Sequence, residues 1–401
     1  MQIITLTEIQ FKNYSRMHSK RNYLQSIEFA EMQRRYGYNH LYIGLIDENN
    51  NLVAASLILN KKILGNFLYG YVPGGYLIDY TNFNLLKTFT NLLKKYLFKL
   101  NYIYVSISPQ TPIRITDKNQ KIVLENNSTI YNLQETDYQK KKKEINLNST
   151  YLNYNSNNKI MYDNLSRFIK RDLKENKKRG IKIFKGSEKD INTFYNLIKK
   201  KTTNNVDYYL NLYKTFDNPN NKFDIYFASI NVDTYLKNYN NLLNKEKIIN
   251  EKLNSKMIDI NVRNKEYYLK KKIASDKLIE KYTNELKKAI TLNKIYQNEV
   301  IIATCAIITT NNEVTFFIDG YEEKTRFIRA TYSIKWEIIK QYSKLGYQKF
   351  NLGYIPKYED KYKGLYLSKL GFNTNVYEYP GQYNLVINPI LYNLVKFSEA
   401  K

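Results

Sequence analysis

Residues Ala330 to Asn388 read ATYSIKWEIIKQYSKLGYQKFNLGYIPKYEDKYKGLYLSKLGFNTNVYEYPGQYNLVIN, and the rest of the chain is organised around them. Tyr332, Trp336, Ile339 and Tyr342 recur every three or four positions, the spacing of one apolar helix face, and Leu345 and Gly346 close that helix. Phe350 and Leu352 then open a strand. A polar loop from Gly353 to Lys363 follows, and after it LYLSKLGF sets Lys369 beside Leu370, Gly371 and Phe372. The stretch goes on to a strand through Val376, Tyr377 and Tyr379. Helix, buried strand, loop, helix and strand in this order predict an α/β unit.

At 401 residues the chain is too long for one ordinary core and suits two domains plus an accessory element. Its 43% hydrophobic and 15% aromatic residues can fill such cores. A formal charge of +26 favours a polyanionic partner, because a basic surface attracts phosphate-rich ligands. The same excess of Lys, Asn, Tyr and Ile also follows from an AT-rich genome, so charge alone names no partner. Cys305 is the single cysteine and lies in the apolar run Val300 to Ile308, which excludes an internal disulfide and a cysteine-rich zinc site. The opening MQIITLTEIQFKNYSRMH has no apolar core of signal-peptide length, and no apolar run approaches the ~18 to 20 residues of a membrane span. The expectation is a soluble, cytoplasmic protein, compatible with peripheral contact with the cytoplasmic membrane face.

Taken in order, residues 1–148 read as a first α/β domain. A strand at Ile3 to Leu6 precedes a helix at Glu8 to Met17. Strands follow at Leu41 to Asp47, Leu52 to Asn60 and Lys62 to Tyr71, then a helix at Leu85 to Leu100 and a buried strand at Ile103 to Ser108. Thr116 to Asn157, with the lysine run Lys140 to Lys143, reads as an irregular excursion. A second α/β domain covers 149–234 and 294–401, opening with a helix at Met161 to Arg179. Between its halves, residues 235–293 lack proline and glycine. Tyr239, Leu242, Ile249, Leu253, Met257 and Ile260, then Leu269, Ile273, Ile279, Leu286 and Ile290, follow a coiled-coil rhythm. Polar Asn261 to Lys265 offers a turn, so the insertion is expected to be an antiparallel helical hairpin. The fold class is α/β (α+β): two acetyltransferase-like (GNAT-like) domains with mixed and antiparallel sheets, plus that hairpin.

Several motifs recur in one order: YLQSIEFAEMQ at Tyr23 to Gln33, YVPGGYLIDY at Tyr71 to Tyr80, NLSRFIKRDLKENKKRG at Asn164 to Gly180, then WEIIK, KLGYQKFNLG, GLYLSKLGF and EYPGQYNLVIN. In this order, and with the hairpin, they resemble the FemABX aminoacyltransferases, in particular the FemA-like branch. The resemblance implies transfer of an amino acid from aminoacyl-tRNA to the stem-peptide amine of a peptidoglycan precursor, either lipid II or its nucleotide-linked form. It implies neither cofactor nor metal, and leaves a homo- or heterodimer open. Lys369 matches the family lysine that holds the tRNA acceptor end and polarises the transferred carbonyl. Gln33, Tyr71, Gly75, Asp79, Asp207 and Tyr208 match substrate-binding positions. Gly74 and Asn204 stand where relatives carry basic residues, which puts phosphate contacts there in doubt.

The residues themselves admit plainer readings. Lys369 is also what an ordinary exposed helix lysine looks like, and Asp79 can simply cap a turn. Arg167, Lys170, Arg171, Lys174 and Lys178, with Lys177 and Arg179, form a basic helix suited to RNA phosphates or to a solvated face. Acyl transfer through a tetrahedral oxyanion needs positioning and a cation or donors, with no covalent nucleophile. In keeping with that, the chain lacks a GxSxG elbow, and His18 and His40 have no evident catalytic partner. Two alternatives remain: an acetyl-CoA-dependent N-acetyltransferase, whose glycine-rich pyrophosphate loop is missing a second glycine between Gly320 and Tyr332, and a non-catalytic RNA-binding or scaffolding protein.

Overall fold

The strand Tyr102–Ile107 is buried at every residue, so both of its edges need backbone partners from elsewhere in the chain. The computed structural model describes residues 1–141, 148–153, 158–258, 263–296, 298–355 and 363–399. The first stretch runs β1 (Gln2–Thr5), α1 (Glu8–Met17), α2 (Ile27–Arg34), β2 (Asn39–Ile46), β3 (Leu52–Leu64), β4 (Phe67–Val72), α3 (Phe83–Lys99) and β5 (Tyr102–Ile107). Next come β6 (Arg114–Thr116), β7 (Ile122–Glu125), α4 (Ser128–Glu135), β8 (Tyr138–Lys140) and β9 (Asn148–Asn153). Then follow α5 (Asn158–Asn164), α6 (Arg167–Arg179), β10 (Lys182–Lys185), α7 (Ile191–Ile198), α8 (Val206–Thr215), β11 (Asp217–Asn218) and β12 (Asn221–Asn231). The hairpin is α9 (Val232–Ile258) and α10 (Lys265–Asn293). The chain ends through β13 (Glu299–Thr310), β14 (Glu313–Tyr321), α11 (Ala330–Lys344), β15 (Lys349–Ile355), α12 (Lys363–Leu370), β16 (Asn375–Glu378), β17 (Tyr383–Val386) and α13 (Pro389–Glu399).

Two sheets result, in the strand orders β1-β2-β3-β4-β5-β17-β8 and β10-β12-β13-β14-β15-β9-β16-β6-β7, with β11 paired to β12. Each is antiparallel except for one parallel step, β4 on β5 in the first and β14 on β15 in the second. The free edge of β5 is filled by β17, which arrives from the far end of the chain. In the other direction, β6 joins the second sheet by pairing with β16. Segments 114–125 and 383–399 therefore lie across the domain limits expected at residues 148 and 149. The reason is edge satisfaction, because an apolar strand buried on both faces cannot leave one row of peptide groups unpaired.

Local chemistry sets several boundaries. The β3–β4 turn falls at Gly65, whose φ of +54° suits glycine, rather than at Lys61 where the expected strands divided. The single helix expected at Met161 to Arg179 is two, because Ser166 caps α6 with its hydroxyl accepting from Ile169 N. The excursion expected at Thr116 to Asn157 contributes β7, α4, β8 and β9 instead. Lys142 and Lys143 of the lysine run, most of the Gly353 to Lys363 loop, and the hairpin turn at 259–262 lie outside the described residues.

The hairpin is antiparallel: Ser275 Oγ donates to Glu246 at 2.6 Å, and nearer the base Tyr235 OH donates to Glu285 at 2.7 Å. Its base packs on the second domain. Val232, Tyr235, Tyr239 and Leu243 are buried against the second domain, whereas Ile249, Leu269, Ile273 and Ile290 of the expected apolar seam are about half exposed. Arg179 anchors this base to α6, placing its guanidinium 2.7 Å from Glu285 with both side chains almost fully buried. A third core joins the two domains, where Tyr23, Phe29 and Met32 pack against Ile191, Phe194, Phe216 and Phe223. Glu28 reinforces it by accepting from the side-chain amides of Asn218 and Asn221.

Removing one partner of a buried ion pair strands the other charge. Glu285→Gln is expected to lower stability by about 3 to 5 kcal/mol in urea unfolding, and the double variant R179M/E285M to recover most of that loss.

Candidate active site

The strands β14 and β15 pair for only three residues, Glu313 with Lys349, Val314 with Phe350 and Thr315 with Asn351. Beyond Thr315 they part, and a cleft of about 1050 Å³ opens between them. Its walls are Phe316 to Asp319 of β14, Leu352 to Tyr354 of β15, the first turns of α11, and α12. Asn22, Tyr23 and Gln110 of the first domain close one side.

Lys369 lies on this wall. It is not the exposed helix lysine of the plainer reading, since its side chain is buried and its ammonium donates to the carbonyl of Tyr354. Gly353 permits the approach: it sits at φ +87°, and a Cβ there would be 3.2 Å from the Lys369 nitrogen. Burial, then the neighbouring Lys335 cation, push the Lys369 pKa down to about 7, with Asp319 opposing weakly. Lys335 is equally buried but keeps its charge. Desolvation alone would lower its pKa, and Asp319 at 2.6 Å more than reverses this. Asp319 also receives Lys201 at 2.9 Å. Although burial disfavours its charge, the two lysines hold its carboxyl well below the usual carboxylate range. The wall thus combines a firmly charged lysine with one poised to give up its proton.

Among the described residues, no covalent nucleophile is poised here. Cys305 lies in the floor, fully buried, with its thiol pushed up to about 12 by desolvation. His18 and His40 do not line the cleft: His18 packs against Tyr14, and its pKa falls to about 4 through burial and the nearby Lys20. His40 stacks near Tyr42.

The remaining expected residues divide. Tyr71 and Tyr208 approach the cleft indirectly, through Tyr23. That hydroxyl is raised in pKa by burial first and then by the proximity of Tyr354, Tyr208 and Tyr71. Gly75 is needed for its backbone, at φ +79° with a virtual Cβ 2.7 Å from Pro109 Cα. Gly74 is held likewise at φ +75° against the Asn22 side chain, so the loop geometry disfavours a basic side chain there. Asp79 is exposed and closes a turn, accepting from the Thr81 backbone at 3.0 Å and its hydroxyl at 2.7 Å, with Lys20 3.5 Å away. Gln33 and the exposed Asp207 do not line the cleft; Tyr208, next to Asp207, packs on Tyr36 of the loop after α2.

The basic helix α6 faces a separate shallow depression lined by Arg167, Lys170, Arg171, Lys174, Lys177 and Lys178. Lys170 donates to the carbonyl of Asp163, Arg171 pairs with Asp172, and Lys178 pairs with Glu175. Arg167, Lys174 and Lys177 have no ion-pair partner among the described residues. Arg179 belongs to the hairpin weld.

Asp319, Lys335 and Lys201 carry no motif of their own, and Tyr23 opens the YLQSIEFAEMQ motif without being singled out as a site residue. The signal for them was an acid inside the apolar run FFIDGY and a lysine between Ile334 and Ile338, since a buried charge has to be paired.

Two sheets that each contain one parallel step, joined over a lysine-lined cleft, define a fold of the tandem GNAT-like class. A tandem GNAT protein from the clavulanic acid pathway aligns with 96% of this chain and 98% of its own at a TM-score of 0.50 and 4% identity, a likeness of fold alone. The sequence profile of the FemAB family matches residues 6–400, and the chain belongs to that family. It is 24% identical over 419 residues to the aminoacyltransferase FemA of Staphylococcus epidermidis, covering 99% of this chain and 98% of that one. FemA of Staphylococcus aureus is also 24% identical, over 98% and 97%. The crystal structure of FemX superposes with a TM-score of 0.73 at 15% identity, over 98% of this chain and all of the other.

A lysine whose pKa is lower in the folded state than in the unfolded chain opposes folding fully below its folded value, and the penalty fades as pH rises to the unfolded value. Urea unfolding of wild type is therefore expected to gain on Lys369→Met by about 1.4 kcal/mol per pH unit between pH 7 and 10.5.

Proposed function

We propose that this FemAB-family aminoacyltransferase moves an amino acid from the ester of an aminoacyl-tRNA to the stem-peptide amine of a peptidoglycan precursor, building the interpeptide bridge on the cytoplasmic side of the membrane. The observation that carries this reading is the pair Lys369 and Lys335 in a desolvated cleft. The acceptor amine attacks the ester carbonyl, the carbonyl oxygen takes up negative charge, and the bond to the tRNA 3′ oxygen breaks. The proton lost by the amine ends on that leaving oxygen. Lys369 serves as the donor that meets the developing oxyanion, and its lowered pKa suits it to exchange a proton with the leaving group. Lys335 supplies fixed positive charge beside it.

The tyrosine group around Tyr23, with Tyr71, Tyr208 and Tyr354, offers hydroxyls to the acceptor peptide from the first-domain side. Arg167, Lys174 and Lys177, with no carboxylate partner among the described residues, suit tRNA phosphates outside the cleft. No helix among the described residues is long and apolar enough to cross a membrane.

A transfer assay with tRNA charged with labelled amino acids, offering lipid II and the nucleotide-linked pentapeptide as separate acceptors, tests the reading directly. Label reaching either acceptor is expected, and none reaching both overturns it. Lys369→Met should lower kcat by about 10² to 10³ while precursor binding stays unchanged. Reversing Arg167, Lys174 and Lys177 to Glu should weaken tRNA binding and flatten the log K against log salt slope by about 2 to 3.

A further inference from the structure

At the end of the first sheet away from the cleft, three chain segments converge and leave apolar side chains in water. Helix α13 is apolar on two sides. Tyr392 and Val395 pack on Ile103 and Tyr104, whereas Ile390, Leu394 and Phe397 are 77%, 56% and 75% exposed. At 100° per residue those three fall within one stripe about 60° wide, facing away from the sheet. Helices with apolar residues on all sides ordinarily have both sides covered.

The neighbouring segments extend this surface. Leu68 N donates to Asn101 O at 2.9 Å, joining the β3–β4 turn, with exposed Ile63 and Leu64, to the end of α3, with exposed Phe98 and Leu100. Ile387 N and Asn388 N both donate to Ile103 O at 2.9 Å, which brings the start of α13 to the same place, and Phe67 packs into the core beneath it.

The charge there is predominantly positive. Residues 61–69, 94–102 and 389–397 contain Lys61, Lys62, Lys94, Lys95, Lys99 and Lys396 and no Asp or Glu. Lys94 is neutralised by Asp137 at 3.2 Å. Lys62, Lys95, Lys99 and Lys396 are exposed, and none of them pairs with a carboxylate among the described residues.

We propose that this end of the first sheet docks on an anionic phospholipid surface. Ile390, Leu394 and Phe397 enter the boundary of the acyl chains together with the β3–β4 turn and Phe98, and the lysines meet the headgroup phosphates. A second copy of the chain is the poorer occupant, because a two-fold contact through this patch sets the lysine rim against itself. The orientation leaves the cleft open. β4 runs from this end to Val72, about 17 Å at the rise of a strand, and the loops beyond it lead to Gln110 and the cleft.

The test is co-sedimentation of the full chain with vesicles of phosphatidylglycerol mixed with phosphatidylcholine, against phosphatidylcholine alone. Binding is expected to be at least about tenfold stronger on the anionic vesicles, and to fall about tenfold in L394D/F397D and in K99E/K396E, with melting temperatures unchanged. Vesicle binding by L394D/F397D equal to wild type would falsify the proposal, as would absence of wild-type binding to anionic vesicles. A dimer in sedimentation velocity that L394D/F397D dissociates, with vesicle binding unaltered, likewise overturns it. Transfer to a soluble nucleotide-linked acceptor does not involve this surface, so failure here leaves the proposed aminoacyl transfer standing.

Discussion

The parting of β14 from β15 after three paired residues is the constraint on which the site depends. Parallel strands that stayed in register would fill the space with their own hydrogen bonds, as β4 and β5 do in the first sheet from Tyr69 to Val72. Once they separate, the peptide groups beyond Thr315 and Asn351 face a cavity, and the side chains that reach it are drawn from both walls. Gly353 turns β15 so that the Lys369 nitrogen rests against its backbone. From the facing strand, Asp319 takes up two lysines that would otherwise be stranded. A wall of charge in a desolvated cleft is costly to assemble, and Asp319 offsets that cost for Lys201 and Lys335, whereas Lys369 has no carboxylate partner among the described residues. The proton of Lys369 is consequently held more loosely than that of Lys335.

That arrangement requires walls that do not shift. The two domains share an apolar core around Tyr23, Met32, Phe194 and Phe223, which is a firmer union than a polar interdomain contact. Because Tyr23 belongs both to that core and to the cleft lining, the joint between the domains and the edge of the site are one structure. The hairpin is fastened by its base alone. Beyond Leu243 its apolar residues are largely half exposed, so α6 receives its rigidity from Arg179, Glu175 and the tyrosines of α9 rather than from the whole length of the hairpin.

Much of the secondary structure was legible. The helix expected at Glu8 to Met17 has those limits, and the helix beginning at Ala330 ends within two residues of the expected Gly346. The long stretch without proline or glycine is two helices. The exchange of strands between the sheets was not legible. Arg114–Thr116 and Ile122–Glu125 are short and polar enough to read as loop, and they become strands because β16 presents an edge some 260 residues away. Tyr383–Val386 reads as a strand, but its neighbours lie at Tyr104 to Ile107 and Tyr138 to Lys140.

The sequence by itself determined the periodic elements, the glycine turns, the absence of a disulfide, and the lysine of the SKLGF segment, all of which depend on interactions within a few residues. Tertiary structure alone decided that Lys369 is buried beside Lys335, that Asp319 is shared by Lys201 and Lys335, and that Gly75 lies against Pro109. It also set one face of α13 free. The physical reason is that burial and electrostatic pairing depend on which distant segments come together, whereas helix periodicity and turn conformation depend on the chain immediately at hand.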